Sequence, residues 1–162
     1  MKHTILLQVR NHAGVMAHVV GLFARRGYNI DSIAVGTRED PKISVITIII
    51  DDQGNRDTIR QIDKQLRKLV DVISIRDFPY NESINRELAL ILLKFKPEQL
   101  REVMEIINVF GANVEDMTSE TLLIDISAVS RKVRALIKIL ADKFEVLEMT
   151  RTGEIALPYQ NA

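Results

Sequence analysis

The chain has 162 residues, with 22 basic and 22 acidic side chains and no cysteine. The balanced charge gives no bulk attraction to nucleic acid or anionic lipid, and the lack of cysteine excludes disulfide scaffolds, thiolate zinc sites and thiol catalysis. A hydrophobic fraction of 46% is typical of a globular protein, and an aromatic fraction of 5% argues against a stacking platform for bases or sugars.

The first half of the chain has the predicted element order β-α-β-β-α-β. Apolar residues that alternate or form β-branched runs predict strands at residues 4–10, 28–37, 43–50 and 70–78. Apolar residues at spacings of three and four predict amphipathic helices between the first and second strands and between the third and fourth. Gly27 stands just past the predicted end of the first helix, as a C-terminal glycine does.

The second half follows a polar, turn-rich segment at residues 79–85 and repeats the same order. Pro97 suits the first residue of a helix. The pattern predicts strands at residues 87–95, 113–118, 122–127 and 146–150, with a short addition at 154–157. The halves align at an offset of 84 residues, where GYNID matches GANVE. Either the chain contains a duplication, or both stretches are merely helix–glycine–strand junctions.

These patterns predict an α+β protein of two tandem ferredoxin-like βαββαβ domains, residues 1–79 and residues 80–162. Residues 1–79 carry 12 basic and 9 acidic side chains, whereas residues 80–162 carry 10 and 13. The strand at residues 43–50 is apolar on both faces, although helices can cover only one. We expect the second face to be covered by a second copy, the other domain or a partner chain; the alternative is a locally apolar open face.

Residue patterns typical of catalytic sites are missing. The sequence has no Gly-x-Ser-x-Gly elbow and no glycine-rich phosphate loop, and its third strand lacks the aromatics of an RNA-recognition module. His12 and His18 are six residues apart, which is not a metal-ligand spacing, and we interpret them as solvated surface side chains. Asp51 and Asp52 are expected to be solvated in a turn. The sequence therefore predicts neither an enzyme nor a metal site.

The start of the first helix is the place where the residues favour a ligand. The first-turn N–H groups of Gly14, Val15 and Met16 have no partners within the helix and lie at the positive end of its dipole. Glycine lets a carboxylate approach closely, and Asn11 offers a donor and an acceptor. With Met16 as part of an apolar wall, these residues suit a free apolar amino acid. The alternative is that Asn11 or Gly14 simply caps the helix.

The matching stretch of the second half, FKPE at residues 95–98, provides an internal comparison. It has neither asparagine nor glycine, and Glu98 puts a negative charge where a ligand carboxylate would lie. Only the first half is therefore expected to bind an amino acid in this way.

Three stretches carry a resemblance to a known family: NHAGVM at residues 11–16, GLFARRGYNI at residues 21–30 and QLRKLVDV at residues 65–72. In these stretches the chain resembles the regulatory, or small, subunits of acetolactate synthase, also called acetohydroxyacid synthase. The resemblance extends over essentially the whole chain, and its specific motifs lie before Pro79. It implies an N-terminal ACT domain followed by a C-terminal ferredoxin-like domain.

The resemblance also implies a binding site at a dimer interface. In that family two ACT domains pair through their second strands, and valine, or in some members leucine or isoleucine, binds between them. The family's effector residues fall on positions present here: Asn11, Gly14, Val15 and Met16 of one chain, with Asn29 and Ile30 of the pairing side. His18 stands where many members carry arginine.

The implied function is regulatory rather than catalytic. The subunit binds and activates the large catalytic subunit, and valine makes the complex less active, which is feedback inhibition of branched-chain amino-acid biosynthesis. The large subunit carries thiamine diphosphate, magnesium and FAD, so no cofactor is expected in this chain. The alternative is a stand-alone ACT-domain sensor that acts on another enzyme or regulator.

Location follows from two further patterns. The N-terminus shows no signal-peptide pattern, and the longest apolar run is far shorter than a membrane span. We therefore expect a cytoplasmic protein that does not bind a membrane. The balanced charge argues against nucleic acid as a partner, and the resemblance implies a homodimer.

Overall fold

The structure, a computed structural model, describes residues 2–51 and 56–160. Its helices are α1 (Val15–Arg25), α2 (Arg56–Leu66), α3 (Leu100–Phe110) and α4 (Ser130–Lys143). Its strands are β1 (Lys2–Arg10), β2 (Ser32–Thr37), β3 (Ile43–Asp51), β4 (Val72–Pro79), β5 (Ser83–Lys94), β6 (Asn113–Met117), β7 (Thr121–Ala128), β8 (Glu145–Arg151) and β9 (Ile155–Pro158). This order confirms the two predicted βαββαβ units, with β9 as the additional short strand.

The chain divides into two compact units. The first contains Met1–Ile84 together with Glu154–Ala162, and the second contains Asn85–Gly153. In the first unit the antiparallel sheet has the order β2-β3-β1-β4, and in the second it has the order β6-β7-β5-β8. β9 pairs with β5, a strand whose first two residues belong to the first unit. Each sheet thus places the first and third strands of its unit at the centre, as the predicted ferredoxin-like fold requires.

Helices α1 and α2 cover one face of the first sheet. Val19 and Phe23 of α1, and Ile62 and Leu66 of α2, are almost fully buried. Burying one such side chain contributes about 1.5–3 kcal/mol. Because side chains alternate across a strand, the helices meet alternate residues of the two central strands. These residues are Ile5, Leu7, Val9, Ile46, Ile48 and Ile50.

The opposite face of the first sheet is covered in part by the chain's own C-terminal segment. Ala156 of β9 is buried in a small cluster with Leu6 and Phe78, and Val45 packs against it. On the same face of β3, Ile49 is fully buried. The second apolar face of β3 is therefore partly covered within the chain, with Ile49 buried and Val45 half-buried.

Two hydrogen bonds hold the start of this segment within the first unit. The backbone N–H of Glu154 donates to Ser32 Oγ at 2.7 Å. The Tyr80 hydroxyl donates to Glu154 Oε2 at 2.6 Å. The sequence analysis placed residues 154–162 with the second half, whereas the described part of this segment, residues 154–160, belongs to the first unit. The division at residues 79 and 80 itself stays a prediction.

In the second unit α3 and α4 cover one face of the sheet through side chains such as Val103, Ile107 and Leu140. Within β5, the Glu87 side chain is only 1% exposed. Arg151 Nη2 donates to Glu87 Oε1 at 2.6 Å, and its Nε donates to Oε2 at 3.1 Å. A buried carboxylate needs such pairing, because an unpaired charge would cost several kcal/mol.

The second strand begins later than the sequence pattern predicts, at Ser32 rather than at Tyr28. The Tyr28 N–H donates to the carbonyl of Phe23 at 3.0 Å and so still closes the end of α1. Pairing with β3 begins where the Asp31 N–H donates to the Ile49 carbonyl at 2.8 Å. Between these points, Tyr28 and Ile30 pack against the core, which explains their apolar character without a strand.

Candidate functional site

The loop between β1 and α1, residues 11–14, is tied to the loop between β2 and β3 through Asn11. The Asn11 backbone N–H donates to the Lys42 carbonyl at 2.7 Å. Its side-chain Nδ2 donates to the Pro41 carbonyl at 2.8 Å. The amide oxygen of Asn11 is not needed for either bond, so it can accept from a ligand such as an α-ammonium group.

Gly14 is the N-cap residue of α1, with φ at 91° and ψ at −17°. This left-handed conformation favours glycine, and a Cβ at this position would meet nothing within 4 Å. Within the described part of the chain no side chain caps the helix, so the suggestion that Asn11 does so is wrong, whereas Gly14 does occupy the cap position. A Cβ at Gly14 would thus lie in open space beside the start of the helix.

Val15 and Met16 contribute to this place mainly through their backbone. The Val15 N–H already has a long hydrogen bond, at 3.4 Å, to the His12 carbonyl. The Val15 side chain is 3% exposed and belongs to the core, and Met16 packs half-buried against the same core. The expected apolar wall therefore has Met16 only at its edge.

Asn29 and Ile30 lie at the other end of α1. The helix has 11 residues, which separates its ends by about 16 Å. Asn29 Nδ2 donates to Asp31 Oδ1 at 3.3 Å, and Ile30 is half-buried against the core. One chain therefore does not bring the six predicted effector residues together, and their joint role stays a prediction that requires a second chain.

Asp71, which precedes β4, is the residue of this region that the sequence analysis did not identify. Its Oδ1 lies 2.7 Å from Nε2 of His12, and its Oδ2 lies 3.5 Å from Nδ1 of His18. The interpretation of His12 and His18 as simply solvated is therefore incomplete, although their side chains are 51% and 62% exposed. No local signal could have found this contact, because 59 residues separate His12 from Asp71.

The histidine–aspartate contact shifts two pKa values in opposite directions. Hydrogen bonds to the Ala13 carbonyl and to the Asp71 carboxylate raise the pKa of His12 above its usual value. The hydrogen bond from His12, with a further one from His18, lowers the pKa of Asp71. Each group thus stabilises the charged form of the other.

The matching junction of the second unit is closed by its own side chain. The Lys96 N–H donates to Gln99 Oε1 at 2.9 Å, and the Gln99 N–H donates to the Lys96 carbonyl at 2.8 Å. The second bond matches the one from the Val15 N–H to the His12 carbonyl in the first unit, so only the bond to the Gln99 side chain distinguishes the two junctions. That only the first unit binds an amino acid stays a prediction.

Two searches over residues 2–51 and 56–160 bear on other functions. No group of three histidine, cysteine, aspartate or glutamate side chains there could hold a metal ion. No helix in the same ranges is long and apolar enough to cross a membrane.

Comparison with known proteins gives consistent matches over both units. Residues 5–74 match a family model described as an AHAS small subunit-like ACT domain, and residues 86–160 match one described as the small subunit of acetolactate synthase. A probable acetolactate synthase small subunit of Archaeoglobus fulgidus is 38% identical, over 97% of this chain and 96% of that protein. The acetolactate synthase small subunit of Bacillus subtilis is 37% identical, over 96% of this chain and 90% of that protein.

A solved structure of the same family also matches the chain over its whole length. The crystal structure of an acetolactate synthase small subunit from Thermotoga maritima superposes with a TM-score of 0.92 at 37% identity, covering 100% of this chain and 99% of that one. The ACT-domain prediction for the first half is confirmed by the family match.

Proposed function

Because the chain belongs to the family of acetolactate synthase small subunits, we propose that it binds and activates the large catalytic subunit and confers feedback inhibition by valine. The chain itself is assigned no catalytic step. In this proposal thiamine diphosphate, magnesium and FAD belong to the large subunit, where the carbon–carbon bond is made.

The observation that carries the valine part of the proposal is the open N-terminus of α1. Gly14 has open space where a Cβ would lie, and the first-turn N–H groups beside it carry the positive end of the helix dipole. A valine carboxylate would accept from the N–H groups, and its α-ammonium would donate to the amide oxygen of Asn11. Met16 would border the isopropyl group.

A second copy of the chain completes the site in this proposal. β2 lies at the edge of the first sheet, with β3 as its neighbour among the described strands, so one row of its backbone groups remains available for pairing. If two edge strands pair side by side, Asn29 and Ile30 of one chain can approach the α1 N-terminus of the other. This arrangement explains how residues about 16 Å apart in one chain can serve one ligand.

Reconstitution with a large subunit of acetolactate synthase tests the whole proposal. Acetolactate formation would be measured for the large subunit alone, after addition of this chain, and after addition of valine. We expect the chain to raise the rate of acetolactate formation and valine to lower it. A coupling typical of allosteric proteins would change the affinity for one binding partner about 5- to 150-fold when the other binds.

Two other outcomes would contradict the proposal in different ways. If valine binds to the chain by calorimetry but the large subunit does not respond to the chain, the stand-alone sensor is favoured. If the chain activates the large subunit but valine neither binds nor inhibits, the regulatory role stands and the valine site is wrong.

A further inference from the structure

His12 lies inside the proposed valine-binding loop, between Asn11 and Gly14, and its ring meets a hydrogen-bond acceptor on each side. Nδ1 lies 3.0 Å from the Ala13 carbonyl oxygen, and Nε2 lies 2.7 Å from Asp71 Oδ1. Carbonyl and carboxylate oxygens only accept hydrogen bonds. Both ring nitrogens must therefore carry a proton for both bonds to exist.

Only the imidazolium form of His12 satisfies this geometry. A neutral ring has one N–H and one bare nitrogen, so it must give up either the bond to Ala13 or the bond to Asp71. The first bond lies within the loop, and the second ties the loop to the residue before β4. Deprotonation of His12 would thus loosen the loop whichever bond is lost.

Among the described residues, the charged groups around His12 either favour or oppose its protonated form. Asp71 is the nearest, with a side chain that is 15% exposed, and it also lies 3.5 Å from Nδ1 of His18. Arg10, at the end of β1, opposes the positive charge of His12. The Arg10 N–H donates to the Asp71 backbone carbonyl at 2.9 Å, which holds Asp71 at the end of β1 beside the loop.

We propose that His12 and Asp71 form a protonation-dependent clamp on the valine-binding loop, so that valine binds more tightly when His12 is protonated. The inference rests on the proposed function, because it concerns the regulation of that same site. Asp71 acts here as a positioning residue, which holds the loop through His12 and does not itself contact valine. Hydrogen bonds to the Ala13 carbonyl and to the Asp71 carboxylate raise the pKa of His12, so the change comes as the pH rises through that raised value.

Calorimetric titration with valine at about pH 6 and about pH 8 tests the clamp, because free valine stays a zwitterion over this range. We expect the wild-type chain to bind valine about three- to tenfold more weakly at the higher pH. His12→Gln should remove this difference, because glutamine does not titrate. Asp71→Asn should reduce it, because the acceptor of His12 loses its charge.

His18→Gln is the matched control for these variants. His18 also faces Asp71, but at 3.5 Å its hydrogen bond is much longer than the 2.7 Å bond of His12, and its ring lies outside the loop, so the variant should keep the wild-type difference between the two pH values. If His18→Gln instead removes the difference, the assignment to His12 is wrong. If Asp71→Asn leaves the difference unchanged, His12 acts directly on the ligand and the clamp is wrong.

A measurement without ligand separates this inference from the proposed function. Nitrogen-15 NMR of the histidine ring should show both His12 nitrogens protonated in the wild-type chain at about pH 6, and His12 should lose its proton at a lower pH in Asp71→Asn, where the charged acceptor is gone. If valine binds equally at both pH values, the clamp is overturned and the valine site stands. If valine binds at neither pH, the valine site and its regulation are both overturned, whatever the NMR shows.

Discussion

At the scale of single residues, Gly14 and the His12–Asp71 pair determine what the loop before α1 can do. Gly14 has a left-handed backbone conformation that residues other than glycine and asparagine rarely adopt. A Cβ at this position would lie in open space beside the helix N-terminus. The contact between His12 and Asp71 attaches the same loop to the residue that directly precedes β4. Substitutions at these positions therefore test separately how backbone geometry, charge and loop position affect valine binding and stability.

Gly14→Asp should abolish valine binding. The new carboxylate would lie at the helix N-terminus and compete with the ligand carboxylate for the same N–H groups. Gly14→Asn is the control, because asparagine has nearly the same size, tolerates the left-handed conformation and carries no charge. We expect calorimetry to show no binding for the aspartate variant and residual binding for the asparagine variant; unchanged affinity in Gly14→Asp would refute the proposed ligand position.

The His12–Asp71 pair should also make stability depend on pH. His12 has a raised pKa, so its contribution is complete below about pH 6.5 and is lost as the pH rises through the raised value. Asp71 has a lowered pKa, so its contribution is present above about pH 4 and is lost as the pH falls through the lowered value. The pair therefore stabilises the fold most between these limits.

Urea denaturation of the wild-type chain and of Asp71→Asn measures this contribution. The loss of unfolding free energy caused by the substitution should be larger at about pH 5.5 than at about pH 8. An equal loss at both pH values would show that His12 does not titrate against Asp71.

At the scale of elements, each helix packs against its sheet through one apolar face. In α3, a buried and an exposed apolar residue stand only two positions apart. Ile107 is 1% exposed and packs in the core of the second unit, whereas Val109 is 79% exposed. A helix of this length is marginal by itself in water, so the burial of one face supplies most of its stability.

Ile107→Ala should lower the free energy of unfolding by about 2–5 kcal/mol, because it removes buried methyl and methylene groups and leaves a cavity. Val109→Ala on the same helix is the control and should change it by no more than about 0.5 kcal/mol. Chemical denaturation followed by circular dichroism gives both values. Similar losses for the two variants would contradict the burial that the structure shows.

At the scale of the whole molecule, the C-terminal segment belongs to the first unit although it is last in the chain. Its strand β9 alternates between a buried Ala156 and exposed Ile155 and Leu157, which are 59% and 62% exposed. The buried residue faces Leu6 and Phe78 on the side of the first sheet that carries no helix. A small unit gains stability from such cover, because it can bury only a limited fraction of its surface alone.

Ala156→Asp should lower the free energy of unfolding by about 2–4 kcal/mol, because a carboxylate would be placed among apolar side chains without a partner. Leu157→Asp is the neighbouring control at an exposed position and should cost little. Thermal or urea denaturation of the two variants measures the difference. If both variants behave alike, the segment does not cover the sheet as described.

The sequence predicted much of the fold because the signals for helices and strands are local. The apolar stripe of α1 and the β-branched run of β3 each report the period of their own element, and the same order in both halves identifies the fold. The start of β2 was less predictable. Tyr28 and Ile30 pack against the core from a segment that is not a strand, and the periodicity of apolar residues does not distinguish such a segment from a strand.

The candidate site was predicted only in the part that lies on contiguous residues. Asn11 and Gly14 stand three residues apart, and their backbone and side-chain chemistry could be derived from the sequence.

By itself, then, the sequence determined the two βαββαβ units, the family and the loop that favours a ligand. Only the tertiary structure decided that Asp71 meets His12 and that the segment from Glu154 covers part of the first sheet. These contacts join residues far apart in the chain, and they depend on how whole elements pack rather than on the period of any one of them.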